Sequence, residues 1–411
     1  MKMKVLLILF ISYHCCNTLV ILPYYLNNDI YKEYPFIMSN FDFIFNFTEN
    51  IINLKHQIDN KKNFYLSRKI ETCESFWNYG VNKGKCAKLN EDVEEKCGKF
   101  TIPSSFLDEF LIYDNDNSVP TNKSLFRSKF INEADFIVFI SVINDSRCQS
   151  FAYSQVCKRD DNMIGGVHSG RPKAGFIEFC SNAVKDISSC SFKKIILHEL
   201  IHLFAFSYDN IRNFIKCYEW NNLNTADTSM IYCWNRDDLL RIDMNEKNKF
   251  LVSSSLFKNG INNSSKPEKI ILSPSKSGLH WSNEMFHDNE NSIMLANASN
   301  NEKAIIDDIT VSLLEASGWY AMNKTALQNL NNIFRNSQLC SNIGHSNIVK
   351  NKQHSEITKL NDTNNDSILI SNLENITHTF IDSEIGKGIN EACRIFYFLK
   401  YKVITGLIIV W

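Results

Sequence analysis

Residues 192–206 read FKKIILHELIHLFAF, a stretch in which apolar side chains fall on every side of a helical turn and a His-Glu-x-x-His motif interrupts them. A helix that is apolar all round is a buried helix, and Ser191 just before it is a suitable N-cap. His198 and His202 are four apart, so both imidazoles lie on one face and can reach a single metal ion. Glu199 stands beside that ion but is angled away from direct ligation. It can take a proton from a zinc-bound water and later return it to a leaving amine. With ten histidines in 411 residues, such a motif arises by chance in about one chain in a hundred. The competing reading is two core histidines and a partly exposed glutamate. The apolar flanks oppose it, because a carboxylate and two imidazoles buried without partners are costly. One Zn2+ per chain is the expected cofactor.

Outward from this helix, Ala134–Ile143 (ADFIVFISVI) is a nearly continuous apolar run, as in a strand covered on both faces. Ala174–Cys180 follows a turn-like Ser169-Gly170-Arg171-Pro172 and reads as a second strand, expected to pair with extended substrate. Asp308–Ala316 reads as a helix capped by Asp307 or Asp308, with Gly318 just past its end. Two histidines leave a coordination position to fill, and His280, His287 and Glu219 are the candidates. Composition divides the chain into 19–205, ending in the HExxH helix; a mixed region 206–345, with a polar loop over 259–269; and a polar tail, 346–411, with a short apolar end.

Lys2 and Lys4 precede the apolar run Val5–Ile11, the layout of a secretory signal peptide over residues 1–18. The mature chain is then expected outside the cell. Without Cys15 and Cys16, eleven of the 13 cysteines remain, and in an oxidising compartment most should form disulfides. Sequons such as Asn46, Asn122 and Asn323 agree with secretion. A net charge of −1, from 44 basic and 45 acidic residues, gives no reason to bind nucleic acid. Lys400 and Lys402 break the final apolar run, so membrane attachment follows only if the tail is a lipid-anchor signal.

Several ordered motifs resemble the leishmanolysin and invadolysin family of zinc metallopeptidases. They are Cys97-Gly98 with Ile102-Pro103; Ala134-Asp135-Phe136 through Cys148; Arg171-Pro172 through Gly175 to Cys180; and HExxH. Then come Leu279-His280-Trp281, Ser292-Ile293-Met294-Leu295 and the helix ending Gly318-Trp319-Tyr320. The likeness covers about residues 70–345. It implies an α+β, metzincin-like zincin with a twisted mixed sheet, the active helix packed on it and a lower subdomain supplying the third histidine. Carried over, His198, His202 and His280 bind zinc, Glu199 is the base, and Met294 lies in the turn beneath the metal. The activity implied is hydrolysis of internal peptide bonds in proteins, with links to cell adhesion. The rival from another class is a catalytically impaired zinc-binding homologue acting in adhesion or decoy binding. Four departures stand out. Ala205 replaces the glycine that metzincins carry three residues after the second histidine. The segment from His280 to Met294 is some three residues longer than is usual for the family. A cysteine-rich region after Cys340 and a propeptide with a zinc-blocking cysteine are not evident. If the position of Ala205 needs a positive φ, alanine there costs about 1 kcal/mol.

Overall fold

The computed structural model describes residues 18–26, 35–55, 64–116, 119–121, 123–125, 134–143, 150–164, 166–181, 187–221, 229–235, 240–242, 250–252, 270–275, 278–282, 292–296 and 304–342. The leader, the C-terminal tail, the 259–269 loop and His287 therefore lie outside the described residues. Leu19–Ser346 forms one compact unit of mixed α and β structure. No helix among the described residues is long and apolar enough to cross a membrane.

A four-stranded mixed sheet forms the frame. Strand β1 (Ile21–Tyr25) runs parallel to β2 (Phe136–Ile143), β2 runs parallel to β4 (Pro172–Cys180), and β3 (Ala152–Arg159) closes the sheet antiparallel to β4. The apolar run in β2 has the explanation its composition suggests. Phe136, Val138 and Ile140 point into the core with the helices, while Ile137 and Phe139 enter a second cluster with Leu66, Phe100, Ile102 and Leu107. Both faces are covered, so neither needs polar residues.

Helices α1 (Pro35–Ile51) and α2 (Ser189–Phe204) pack together in the larger core. Ser188 rather than Ser191 caps α2, its Oγ accepting the amide of Ser191 at 3.1 Å. The helix is buried even at its lysines. Lys193 donates to the carbonyl of Cys340 at 2.5 Å and lies over the Phe43 ring. The Cys190–Cys340 disulfide ties α2 to the C-terminal end of the described chain. Gly175 on β4 lets α2 come this close to the sheet, because a Cβ there would meet Leu203 Cδ2 at 2.6 Å. Any side chain would lift the active helix.

After α2 come the short helix α3 (Tyr208–Arg212), a hairpin of 215–221 and 229–235 closed by Cys217–Cys233, and a four-stranded antiparallel sheet. In that sheet β5 (Ile270–Ser275) pairs with β6 (Gly278–Trp281). Helix α4 (Asp308–Ala316) has the bounds its sequence suggests. Asp307 is its cap, accepting the amides of Ile309 and Thr310. Gly318 takes φ +80°, and a Cβ there would meet the Ile215 carbonyl oxygen at 2.2 Å. Helices α5 (Lys324–Arg335) and α6 (Ser337–Asn342) complete the unit. Disulfides Cys73–Cys86 and Cys97–Cys157 staple the segment that covers the second face; Cys180 is also disulfide-bonded.

The sequence expectation about substrate pairing needs correction. Strand β4 is hydrogen-bonded on both edges, to β2 and β3, so it has no free ladder to offer. The edge strands of this sheet are β1 and β3, each paired on one side only among the described strands.

Candidate metal centre

Three histidines from two distant parts of the chain converge. Helical spacing puts His198 and His202 on one face of α2, and β6 brings His280 to them. His202 Nε2 lies 3.0 Å from His198 Nε2, which lies 3.2 Å from His280 Nε2. One nitrogen of each ring falls within 4.8 Å of the others, and this is the metal-competent cluster found among the described residues. His202 and His280 are buried and His198 is partly exposed, so the site opens on the His198 side.

The other ring nitrogens explain why these Nε2 atoms suit metal ligation better than hydrogen bonding to one another. His198 Nδ1 lies 2.6 Å from the Ile293 carbonyl oxygen, and His202 Nδ1 lies 2.7 Å from that of Phe206. A carbonyl oxygen only accepts, so each Nδ1 carries the proton and each Nε2 presents a lone pair. Two lone pairs facing each other at 3.0 Å repel unless a cation lies between them. Tetrahedral coordination at about 2.0–2.1 Å per nitrogen separates the nitrogens by about 3.3–3.4 Å, close to the spacing here. Burial also pushes the His198 imidazole down to about 4 and holds His202 well below its usual value. Both stay neutral, the form that binds metal. The residues present fit a metal ion.

Glu199 is beside this cluster and 3% exposed. Burial pushes its carboxyl up to about 8, against a lowering hydrogen bond from Ser154. Ser154 Oγ lies 2.6 Å from Oε2 and 3.1 Å from the backbone carbonyl of Glu199. A hydroxyl on β3 thus holds the carboxylate of the adjacent helix, a contact no sequence motif marked. Met294 is buried in the turn Ser292–Leu295; its amide donates to Ser292 Oγ at 3.2 Å, and its carbonyl accepts from the Trp281 amide at 3.0 Å. The same turn supplies the Ile293 carbonyl to His198. Of the other third-ligand candidates, Glu219 falls in the 215–221 strand.

Helix α2 ends without glycine. Ala205 has φ −151° and ψ −27°, outside the left-handed region, and its N–H still bonds to the Ile201 carbonyl at 3.0 Å. Asn210 on α3 closes the end instead. Its Nδ2 donates to the carbonyls of His202 and Leu203 at 2.9 and 3.1 Å, satisfying acceptors that a helix end leaves open. Alanine is therefore unstrained here. Ala205→Gly is expected to destabilise by about 0.5–1 kcal/mol, since glycine adds unfolded-state entropy and relieves nothing. Thermal melts with zinc present would show the loss; a gain in stability would mean the backbone is strained at this position.

No protein-family profile matches the chain. It is 24% identical over 264 residues to a Xenopus laevis protein named ciliated left-right organizer metallopeptidase, covering 62% of this chain and 34% of that protein. The Danio rerio protein of the same name is 24% identical over 291 residues, covering 66% of this chain and 43% of its own. The Mus musculus one is 25% identical over 264 residues, covering 61% and 35%. The chain thus spans less than half the length of these curated relatives. Its curated homologues, at about 24% identity, are leishmanolysin-like proteins named metallopeptidases.

Proposed function

We propose that the chain is a secreted, zinc-dependent metalloendopeptidase of metzincin-like fold that cleaves internal peptide bonds of extracellular proteins. The observation that carries this reading is the convergence of three imidazoles whose Nδ1 protons are fixed by carbonyls or whose Nε2 atoms crowd within metal-sharing distance. His198, His202 and His280 would hold the zinc. When bound, Zn2+ lowers the pKa of a water toward neutrality and polarises a carbonyl oxygen.

The remaining work falls to the protein's own groups. Glu199 is the general base: its carboxylate accepts the water proton and passes it to the leaving amine. Ser154 fixes the position of that carboxylate by holding Oε2. An extended peptide added antiparallel or parallel to the open edge of β3 would lie along the strand that carries Ser154, beside Glu199. Disulfides throughout the described unit suit an oxidising, extracellular compartment. The altered turn at Ala205 gives the impaired-homologue reading no support, because the residue there is unstrained.

The decisive test is hydrolysis of an unfolded generic protein substrate such as casein. Cleavage is expected with zinc, none after chelation, and recovery on adding zinc back. A folded, zinc-loaded protein that cleaves nothing would transfer the reading to a zinc-binding homologue without peptidase activity.

A further inference from the structure

All three histidines trace back to one carboxylate that does not touch the metal position. Asp307 caps α4 with Oδ1, which accepts the amides of Ile309 at 3.0 Å and Thr310 at 2.9 Å. Its Oδ2 is shared by two hydroxyls, Thr310 Oγ1 at 2.7 Å and Ser292 Oγ. A helix cap needs only the first set of bonds. The second set leads to the metal centre by two routes.

Along one route, Thr310 Oγ1 donates to Asp307 and accepts from Trp281 Nε1 at 2.9 Å. Trp281 follows His280 in β6, is 1% exposed, and sets its ring edge-on against Phe206 at 4.6 Å. Phe206 is the residue whose carbonyl receives His202 Nδ1. Along the other route, Ser292 Oγ donates to Asp307 and accepts the Met294 amide. That closes the turn whose Ile293 carbonyl receives His198 Nδ1. The two routes rejoin where the Trp281 amide donates to the Met294 carbonyl.

We propose that Asp307 is a positioning residue of the metal centre, fixing the third histidine and the carbonyls that orient the other two through Thr310–Trp281 and Ser292–Met294. This rests on the metal-centre reading and on nothing about proteolysis. Each hydroxyl has one proton, and a carboxylate is the group that can accept both while also accepting two amides. Both hydroxyls are thereby left with lone pairs directed at Trp281 Nε1 and the Met294 amide. An amide side chain at 307 keeps the cap through its oxygen. Its NH2 would donate where Oδ2 accepts, so the hydroxyls would have to turn away from their present roles.

The test uses the full chain with metal removed. Zinc affinity is read by competition with a chromophoric chelator, ligand geometry by the visible absorption of the Co2+ form, and folding by the melting temperature of the metal-free protein. Asp307→Asn is expected to weaken zinc about 10–100-fold, the usual effect of losing a group that orients a ligand. It should also alter the Co2+ spectrum in a metal-free protein that still folds, with a melting temperature lowered by the buried groups left unpaired. Thr310→Val and Ser292→Ala each cut one route and keep the cap, so they carry the test should Asp307→Asn fail to fold. Each is expected to weaken zinc, with Thr310→Val changing the Co2+ spectrum. Wild-type zinc affinity and an unchanged Co2+ spectrum in folded variants would overturn the proposal and leave Asp307 as a helix cap. A wild-type chain that binds no zinc would instead overturn the metal-centre reading, and the proposal with it.

Discussion

Glu199→Gln is expected to lower the rate of peptide hydrolysis by about 10²–10⁴-fold while leaving the fold and the zinc in place. The amide is nearly isosteric, and its oxygen can still accept the Ser154 hydroxyl that now lies 2.6 Å from Oε2. What it cannot do is carry a proton away from water. The structure also predicts the sign of the stability change. Burial pushes the Glu199 carboxyl up to about 8, so the metal-free fold prefers the neutral form. A carboxyl raised in this way contributes stability that is complete below its unfolded value and lost as pH rises through the folded one. The neutral amide avoids that loss, so metal-free Glu199→Gln should melt at the same temperature or higher near pH 8. Kinetics on the zinc-loaded protein and melts on the metal-free form separate the two effects. Undiminished hydrolysis by the variant would remove Glu199 from the mechanism.

Much of the frame was legible because local pattern and tertiary role coincide. The apolar run at 134–143 becomes a strand covered on both faces, and Asp307 caps a helix ending at Ala316 just before a glycine at positive φ. The HExxH helix was legible for the same reason: its sequence is apolar on every side and its surroundings are core. The misreadings have a common cause. Ser188, Ser189 and Ser191 are all plausible caps, and choosing among them requires knowing where Cys190 docks on Cys340. Which strand is central depends on pairing partners, and β3 lies outside β4 and occupies the edge that substrate pairing would need. Ala205 read as a departure because the sequence shows the missing glycine and not its replacement. Asn210 reaches back seven and eight residues to the carbonyls of Leu203 and His202, a contact with no spacing rule behind it. The groups that orient His198 and His202 are backbone carbonyls of Ile293 and Phe206. Any residue type could supply them, so no motif could mark them.

His280→Ala is expected to abolish most of the stabilisation that zinc gives the protein. At a free zinc concentration about a thousand times Kd, binding to the native state contributes about 4 kcal/mol. If losing one of three protein ligands weakens binding about a thousandfold, the same zinc contributes only about 0.4 kcal/mol. The comparison has to be made within each protein, with and without metal, because His280 is 1% exposed and its removal also leaves a cavity beside Trp281. That packing loss lowers the metal-free melting temperature and cancels from the zinc-induced shift. The shift therefore reports ligation alone. It also separates the three candidates for the third position. With His280 as ligand, the shift collapses in His280→Ala and survives in His287→Ala and Glu219→Gln. A full zinc shift in His280→Ala would mean that the 3.2 Å approach of His280 to His198 is packing without coordination. The third ligand would then have to come from elsewhere in the chain.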